Sequence, residues 1–250
     1  MYFMRMLALR KTLSLTLRKT TEYQYLTVGG IDFSRRYQLR QCHKDNHANV
    51  LSNGFMKRTS EGLIMKLLRK YGFQKEKYQL MAAGYFTYED ILDKINYSAF
   101  FKDFNMPDTF YSWFKITELH VWMLMVRYMA EGENGKLVRN NLVEAMWIDV
   151  HMRVNKLGPM HTRIKKKQVT DLSHQFNAAL IDYDEGIMSD DKVLAGALWR
   201  AFFSSECNNP EHIEKLVAYV RKQVNMLDKI PAQEVLNRKK INWIDLRSIR

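Results

Sequence analysis

Apolar residues along this chain recur at helical spacing, and no stretch alternates with the period of two that a half-buried strand requires. Ser60, Glu61 and Gly62 introduce Leu63, Ile64, Leu67, Leu68 and Tyr71, which share one helical face, with Lys66, Arg69 and Lys70 largely opposite. A second, short helix is predicted over 87–96, with Thr87 as its N-cap and Asp90 in the place of a capping-box acid. Pro107 and Asp108 punctuate the next boundary. The run TFYSWFKITELHVWMLMVRYMA from Thr109 then keeps Lys115, Glu118, His120 and Arg127 on no single side. A helix apolar nearly all round is a central one, or one that offers a second face to a partner. A turn over Gly132–Gly135 leads into a helix over 137–154 with Val143, Trp147, Val150 and Val154 in one stripe, and Gly158 and Pro159 end it. Further helices are predicted over 169–183, 190–204 and 210–227, the last opened by Pro210. The expected fold is all-α: a single multi-helix bundle-like domain with a basic, partly disordered N-terminal extension.

Charge divides the chain more sharply than hydropathy does. The net +12 is concentrated in residues 1–80, where 16 Lys and Arg face 5 Asp and Glu, a balance of +11; residues 81–250 carry 23 against 22, a balance of +1. No acid precedes Glu22, while Arg5, Arg10, Lys11, Arg18 and Lys19 are spaced among Leu, Ser and Thr, the composition of a mitochondrial presequence. A basic arm for nucleic acid or membrane is the rival reading. The polar stretch 41–60 reads as a linker. The expected organisation is a presequence-like arm over 1–30, a linker over 31–60, a helical domain over 61–228 and a tail over 229–250. The two cysteines, Cys42 and Cys207, make no disulfide framework, and no run reaches the roughly 18 apolar residues of a membrane span.

Catalytic chemistry finds little to stand on. The chain has no phosphate-binding glycine loop, no nucleophile elbow and no dinucleotide fingerprint. Cys42, His43 and His47 lack a fourth ligand at a zinc spacing, and Asp171 with His174 gives the di-iron spacing once and with the wrong acid. No metal, cofactor or catalytic residue is therefore expected. His120, on an apolar helix, reads as a hydrogen-bonded core histidine. Two charged features remain. Arg163, Lys165, Lys166 and Lys167 lie just before a predicted helix, where the dipole disfavours cations; phosphate of RNA or of anionic lipid is their natural partner, and plain solvent exposure is the alternative. The second is Asp182–Phe203, an acidic turn running into a nearly uncharged helix. Ser189 is expected to cap that helix, with Asp190 and Asp191 in its first turn. An EF-hand is excluded because the glycine comes one place early and position 12 is Val193.

The runs WFKITELHVWMLMVR (113–127), GKLVRNNLVEAMWIDV (135–150), AALIDYDEGIMSDDKVLAGALWRAFF (178–203) and LVAYVRKQ (216–223) occur in order, preceded by FKDFNMPDTFYSWF (101–114). Together they resemble the mitochondrial ubiquinol:cytochrome c reductase assembly chaperone family, over about half the chain. The resemblance implies an all-helical protein without catalytic activity, on the matrix side of the inner membrane. It would receive newly made cytochrome b with a small partner chaperone during complex III assembly. In some members the family also acts near the mitochondrial ribosome. The residues that carry the signature, and so the expected partner contacts, are Trp113, Lys115, His120, Trp122, Asp184, Glu185, Trp199 and Arg200. A basic helical protein acting directly on RNA or the ribosome is the competing reading. For any one of these tryptophans, a place in the core is the simpler expectation.

Overall fold

The computed structural model describes residues 73–158, 161–237 and 241–249, with side chains from Glu76 onward. Eight α-helices, one 3-10 turn and no strand occur among the described residues, and the all-helical class is the one that the periodicity predicts. They are α1 (Phe73–Lys94), α2 (Tyr97–Asp103), α3 (Phe110–Met129), α4 (Gly132–Lys156), α5 (Thr162–Met188), α6 (Asp191–Ala201), α7 (Pro210–Asp228), α8 (Ala232–Leu236) and the turn Leu246–Ser248. The expected arm, the linker, the helix over 63–71 and the Cys42, His43 and His47 group lie outside the described residues. Of the two units into which the chain divides, one includes Lys77–Arg250 and is the body described here.

The centre of that body is α3. Thr109 caps it by accepting the Ser112 N–H at 3.2 Å, and every residue from Ser112 to Met125 is buried. A helix with no solvent face must be surrounded, and α2, α4 and α7 all pack against this one. On a second layer α5 packs against α4 and takes α6 along its C-terminal half, and α6 in turn meets α7. The start of α7 follows its sequence signal closely: Asn209 accepts the Glu211 N–H at 3.0 Å, and Pro210 occupies the first turn, where its missing donor costs nothing.

Several boundaries differ from expectation, each for a tertiary reason. Thr87 is not an N-cap; it lies inside α1, fully buried, with its hydroxyl 3.3 Å from the Tyr128 hydroxyl. Gly84, three residues earlier, serves close packing. A Cβ there would stand 2.5 Å from the Val138 carbonyl oxygen and 2.8 Å from the Leu142 nitrogen, so only glycine lets α1 lie this near α4. The predicted turn over Gly132–Gly135 is already the first turn of α4, with the Gly135 N–H on the Glu131 carbonyl at 3.3 Å.

The last described segment is packed into the body. Val235, Ile241 and Leu246 are buried, and Gln223, fully buried on α7, donates to the Asn242 carbonyl at 3.1 Å and accepts the Ile244 N–H at 2.9 Å. Arg127 of α3 donates to the carbonyls of Leu227 at 3.0 Å and Ile230 at 2.7 Å, and pairs with Glu131. Asp103 joins Lys215 at 2.9 Å to Arg247 at 3.4 Å, which hold its carboxyl below the usual range.

Candidate functional site

The acidic stretch is not a turn. Asp182, Asp184, Glu185 and Gly186 all lie inside α5, which runs on to Met188. The helix continues because Gly186 is a crossing point: a Cβ there would sit 2.9 Å from the Leu194 Cα and 3.2 Å from the Ala197 Cβ of α6. Asp190, rather than Ser189, caps α6 and accepts the Val193 N–H at 3.0 Å; Ser189 closes α5 instead. Sequence reasoning also missed Arg221 of α7, which fastens this corner. It donates to the Ile187 carbonyl at 2.7 Å, the Ser189 carbonyl at 2.6 Å and the Asp191 carboxylate at 3.0 Å. Nothing in the spacing of the LVAYVRKQ run marks that arginine, since its acceptors are mostly backbone oxygens some thirty residues away.

The expected partner residues separate into an inner and an outer group. Trp122 is buried and donates its indole N–H to Asp184 Oδ1 at 2.8 Å, and its ring lies 5.0 Å from that of Tyr183. Trp113 is buried under the Arg153 guanidinium, which stacks 4.0 Å from the ring centroid. His120 is fully buried, with Nδ1 2.7 Å from the Ile116 carbonyl and Nε2 2.7 Å from the Tyr219 hydroxyl. The carbonyl can only accept, so Nδ1 carries the proton and Nε2 accepts from Tyr219. Burial then pulls the imidazole down to about 4.

Lys115 and Glu118 form a buried ion pair at 3.2 Å, and the Tyr183 hydroxyl donates to the same carboxylate at 3.4 Å. Burial pushes Glu118 up to about 7, against the opposing pull of the lysine. Among described residues no cluster of His, Cys, Asp and Glu is arranged to hold a metal ion.

The outer group faces solvent. Trp199 is 37% exposed, its N–H on the Cys207 carbonyl at 2.9 Å. Arg200 forks onto Asp182 at 3.2 and 3.3 Å, which raises the guanidinium still further. Glu185 is exposed and makes no ion pair to a described residue. It stands between Ile181 and Met188 at i, i+4 and i+7, and both of those are exposed, 59% and 38%. The apolar pair falls outside the core stripe of α5 formed by Leu172, Phe176, Ala179 and Tyr183. Helical-wheel placement finds it only once the helix is known to run past Tyr183 to Met188. The surface is therefore a hydrophobic line with one exposed carboxylate, whose charge also acts on Arg200 of the neighbouring Asp182–Arg200 bridge, and a half-covered indole.

The four predicted phosphate contacts lie in the first two turns of α5, since the helix starts at Thr162 and not near Val169. His161 caps it, accepting the Arg163 N–H at 3.2 Å. Arg163, Lys166 and Lys167 are exposed, while Lys165 is half-buried with its ammonium on the Asn155 carbonyl at 3.1 Å. They are distant in sequence from the α5–α6 corner, at the opposite end of the same helix.

A family model described as "Ubiquinol-cytochrome C chaperone" matches residues 102–243. The chain belongs to this chaperone family. The fruit-fly "Ubiquinol-cytochrome c reductase complex assembly factor 1" is 47% identical over 206 residues, 80% of this chain and 80% of that protein. The human protein of the same name is 40% identical over 73% of this chain, but the match spans only 62% of its own length. The budding-yeast "Protein CBP3, mitochondrial" is 31% identical over 68% of this chain and 48% of its own. The crystal structure of the Cbp3 homolog from Brucella abortus shares the fold, with a TM-score of 0.60 over 75% of this chain and 100% of that one, at 20% identity. The family match runs past α7 to Trp243, so it takes in the packed segment that follows Asp228.

Proposed function

We propose that this chain is an assembly chaperone of respiratory complex III. It receives newly made cytochrome b, together with a small partner chaperone, on the matrix side of the mitochondrial inner membrane. Family membership carries the reading: relatives named as complex III assembly factors align across most of this chain. A chaperone needs surface and not a reaction centre. The polar groups of the core support this, because Lys115, Glu118, His120 and Asp184 spend their hydrogen bonds inside the fold. Its partner surface is the outer face of α5 and α6, where Ile181, Glu185, Met188 and Trp199 are exposed. Among described residues no helix is long and apolar enough to cross a membrane, so contact with the inner membrane is peripheral in this reading. Action at the mitochondrial ribosome during cytochrome b synthesis belongs to the same proposal.

Depletion followed by pulse labelling of isolated organelles tests the function. Loss of newly made cytochrome b with other mitochondrial products intact is expected; an across-the-board translation defect would instead favour a basic protein acting on the ribosome. The surface is tested by Glu185→Gln, which removes an exposed charge that acts on Arg200 only as a long-range pull. Partner copurification should fall while the melting temperature stays within about 2 °C, the range of neutral surface changes.

A further inference from the structure

The junction of α4 and α5 carries a surface that the partner face does not use. Between Asp149 and Asp171 the chain holds six cations, Arg153, Lys156, Arg163, Lys165, Lys166 and Lys167, and no acid. Two are engaged. Arg153 binds Asp149 at 2.9 Å, and Lys165 reaches the Asn155 carbonyl, which ties the first turn of α5 to the last turn of α4. The other four are exposed and form no ion pair to a described residue. Three of them stand at the positive end of α5, so the helix dipole adds to their potential instead of relieving it.

Charge alone calls for an anion without saying which. The apolar residues among the cations decide it. Leu157, which ends α4, is 51% exposed; Ile164 in the first turn of α5 is 50% exposed, and Met152 is 42% exposed. Ile164 lies beside Arg163 and one turn before Lys167, so all three share an outward face of α5. RNA has phosphates for the cations but little use for bare leucine and isoleucine. Its bases stack on aromatic rings, and no Phe, Tyr or Trp occurs between Trp147 and Phe176. An anionic bilayer meets both halves of the surface, since its phosphates lie directly above hydrocarbon.

We propose that the α4–α5 tip docks on an anionic phospholipid surface. Leu157 and Ile164 enter the boundary between headgroups and acyl chains, while Lys156, Arg163, Lys166 and Lys167 meet phosphates. The proposal gives peripheral membrane contact a specific surface. It does not depend on cytochrome b being the client, because vesicle binding is read with no client present.

Flotation of the full chain with vesicles tests it. The protein should float with vesicles of phosphatidylcholine and phosphatidylglycerol in equal parts and stay behind with phosphatidylcholine alone. Lys166→Gln/Lys167→Gln should weaken binding by about fivefold per cation. Leu157→Ser/Ile164→Ser should weaken it by about tenfold or more, although it changes no charge. A readout on the unaltered protein guards against a misfolded variant: added salt should weaken binding steeply, as for any contact with a charged surface. Three results would overturn the proposal. They are failure to float with anionic vesicles, binding indifferent to salt and to lipid charge, and undiminished vesicle binding by a folded Leu157→Ser/Ile164→Ser. If that last variant keeps its vesicle binding while Lys166→Gln/Lys167→Gln loses affinity for single-stranded oligouridylate, the surface is an RNA site.

Discussion

Trp122 of α3 donates its indole N–H to Asp184 of α5 across 62 residues of chain, at 2.8 Å. The bond turns one of the most recognisable acids of the signature run into a structural acceptor. Asp184→Ala leaves a donor on a fully buried ring without its partner, and about 1–3 kcal/mol of stability should be lost. Asp184→Asn, which keeps an acceptor oxygen, should cost less than half as much. Urea unfolding of the two variants distinguishes these outcomes, and charge reversal here would confuse partner loss with unfolding.

The Lys115–Glu118 pair sets a second expectation. A carboxyl whose folded pKa is raised, here to about 7, adds stability that is fully present below its unfolded value and is lost as pH rises through the folded one. Lys115→Met removes the cation that opposes this rise, so Glu118 must either hold a proton or bury a bare charge. The variant should be destabilised by about 3–5 kcal/mol at pH 8 and by clearly less at pH 5. Adding Glu118→Leu should restore most of the loss, because a buried pair replaced by apolar side chains is often neutral. Denaturant titration at the two pH values checks both steps.

His120 gives a pH dependence of opposite sign. Its folded pKa lies near 4 and its ordinary value is 6.5, so the unfolded chain binds the proton first as pH falls. The stability is fully present above pH 6.5 and is lost as pH falls toward 4, by about 3 kcal/mol for a shift of this size. His120→Gln should be less stable at pH 7, where the bonds to Ile116 and Tyr219 are disturbed, yet should lose less than the unaltered protein between pH 7 and pH 4. Equal losses in the two proteins would assign the acid sensitivity to other groups.

Helix starts at Thr109 and Pro210 are legible because cap and proline chemistry acts within one turn. The same local rules mislead at Thr87. There α1 runs on, hydrogen-bonded to Tyr128 of α3 and packed at Gly84 against α4, and the short-range signal for a start is overridden. The all-helical class follows from periodicity; the apolar surface of α3 left a central place or a second partner face open, and its burial decides for the centre. Exposure of the signature residues does not follow from either. Trp113 and Trp122 differ from Trp199 only in what covers them, and the cover, Arg153 in one case and α5 in another, comes from other helices. Ile181 was legible as a position off the core stripe, but Met188 was not, because the pattern ends the helix at Tyr183 and α5 runs on to Met188. The role of Arg221 was not, because an arginine bound mainly to backbone oxygens leaves no side-chain pattern behind.

Two glycines in the signature run separate helix propensity from helix packing. Gly186 and Gly196 both lie inside helices, and alanine is favoured over glycine there by about 1 kcal/mol. At Gly196 a new Cβ would meet only the end of the Arg200 side chain, at 3.4 Å, and that flexible group can give way. Gly196→Ala should therefore stabilise the protein by up to about 1 kcal/mol. At Gly186 the obstacle is the Leu194 Cα at 2.9 Å, which is backbone, with the Leu194 Cδ1 equally close. Relief requires α6 to move off α5, against the bonds by which Arg221 holds Ile187, Ser189 and Asp191 together. Overpacking of this kind costs about 1–3 kcal/mol and outweighs the propensity gain, so Gly186→Ala should destabilise. Melting temperatures of the two variants should move in opposite directions. A rise in both would mean that the α5–α6 crossing is looser than the distances at Gly186 imply.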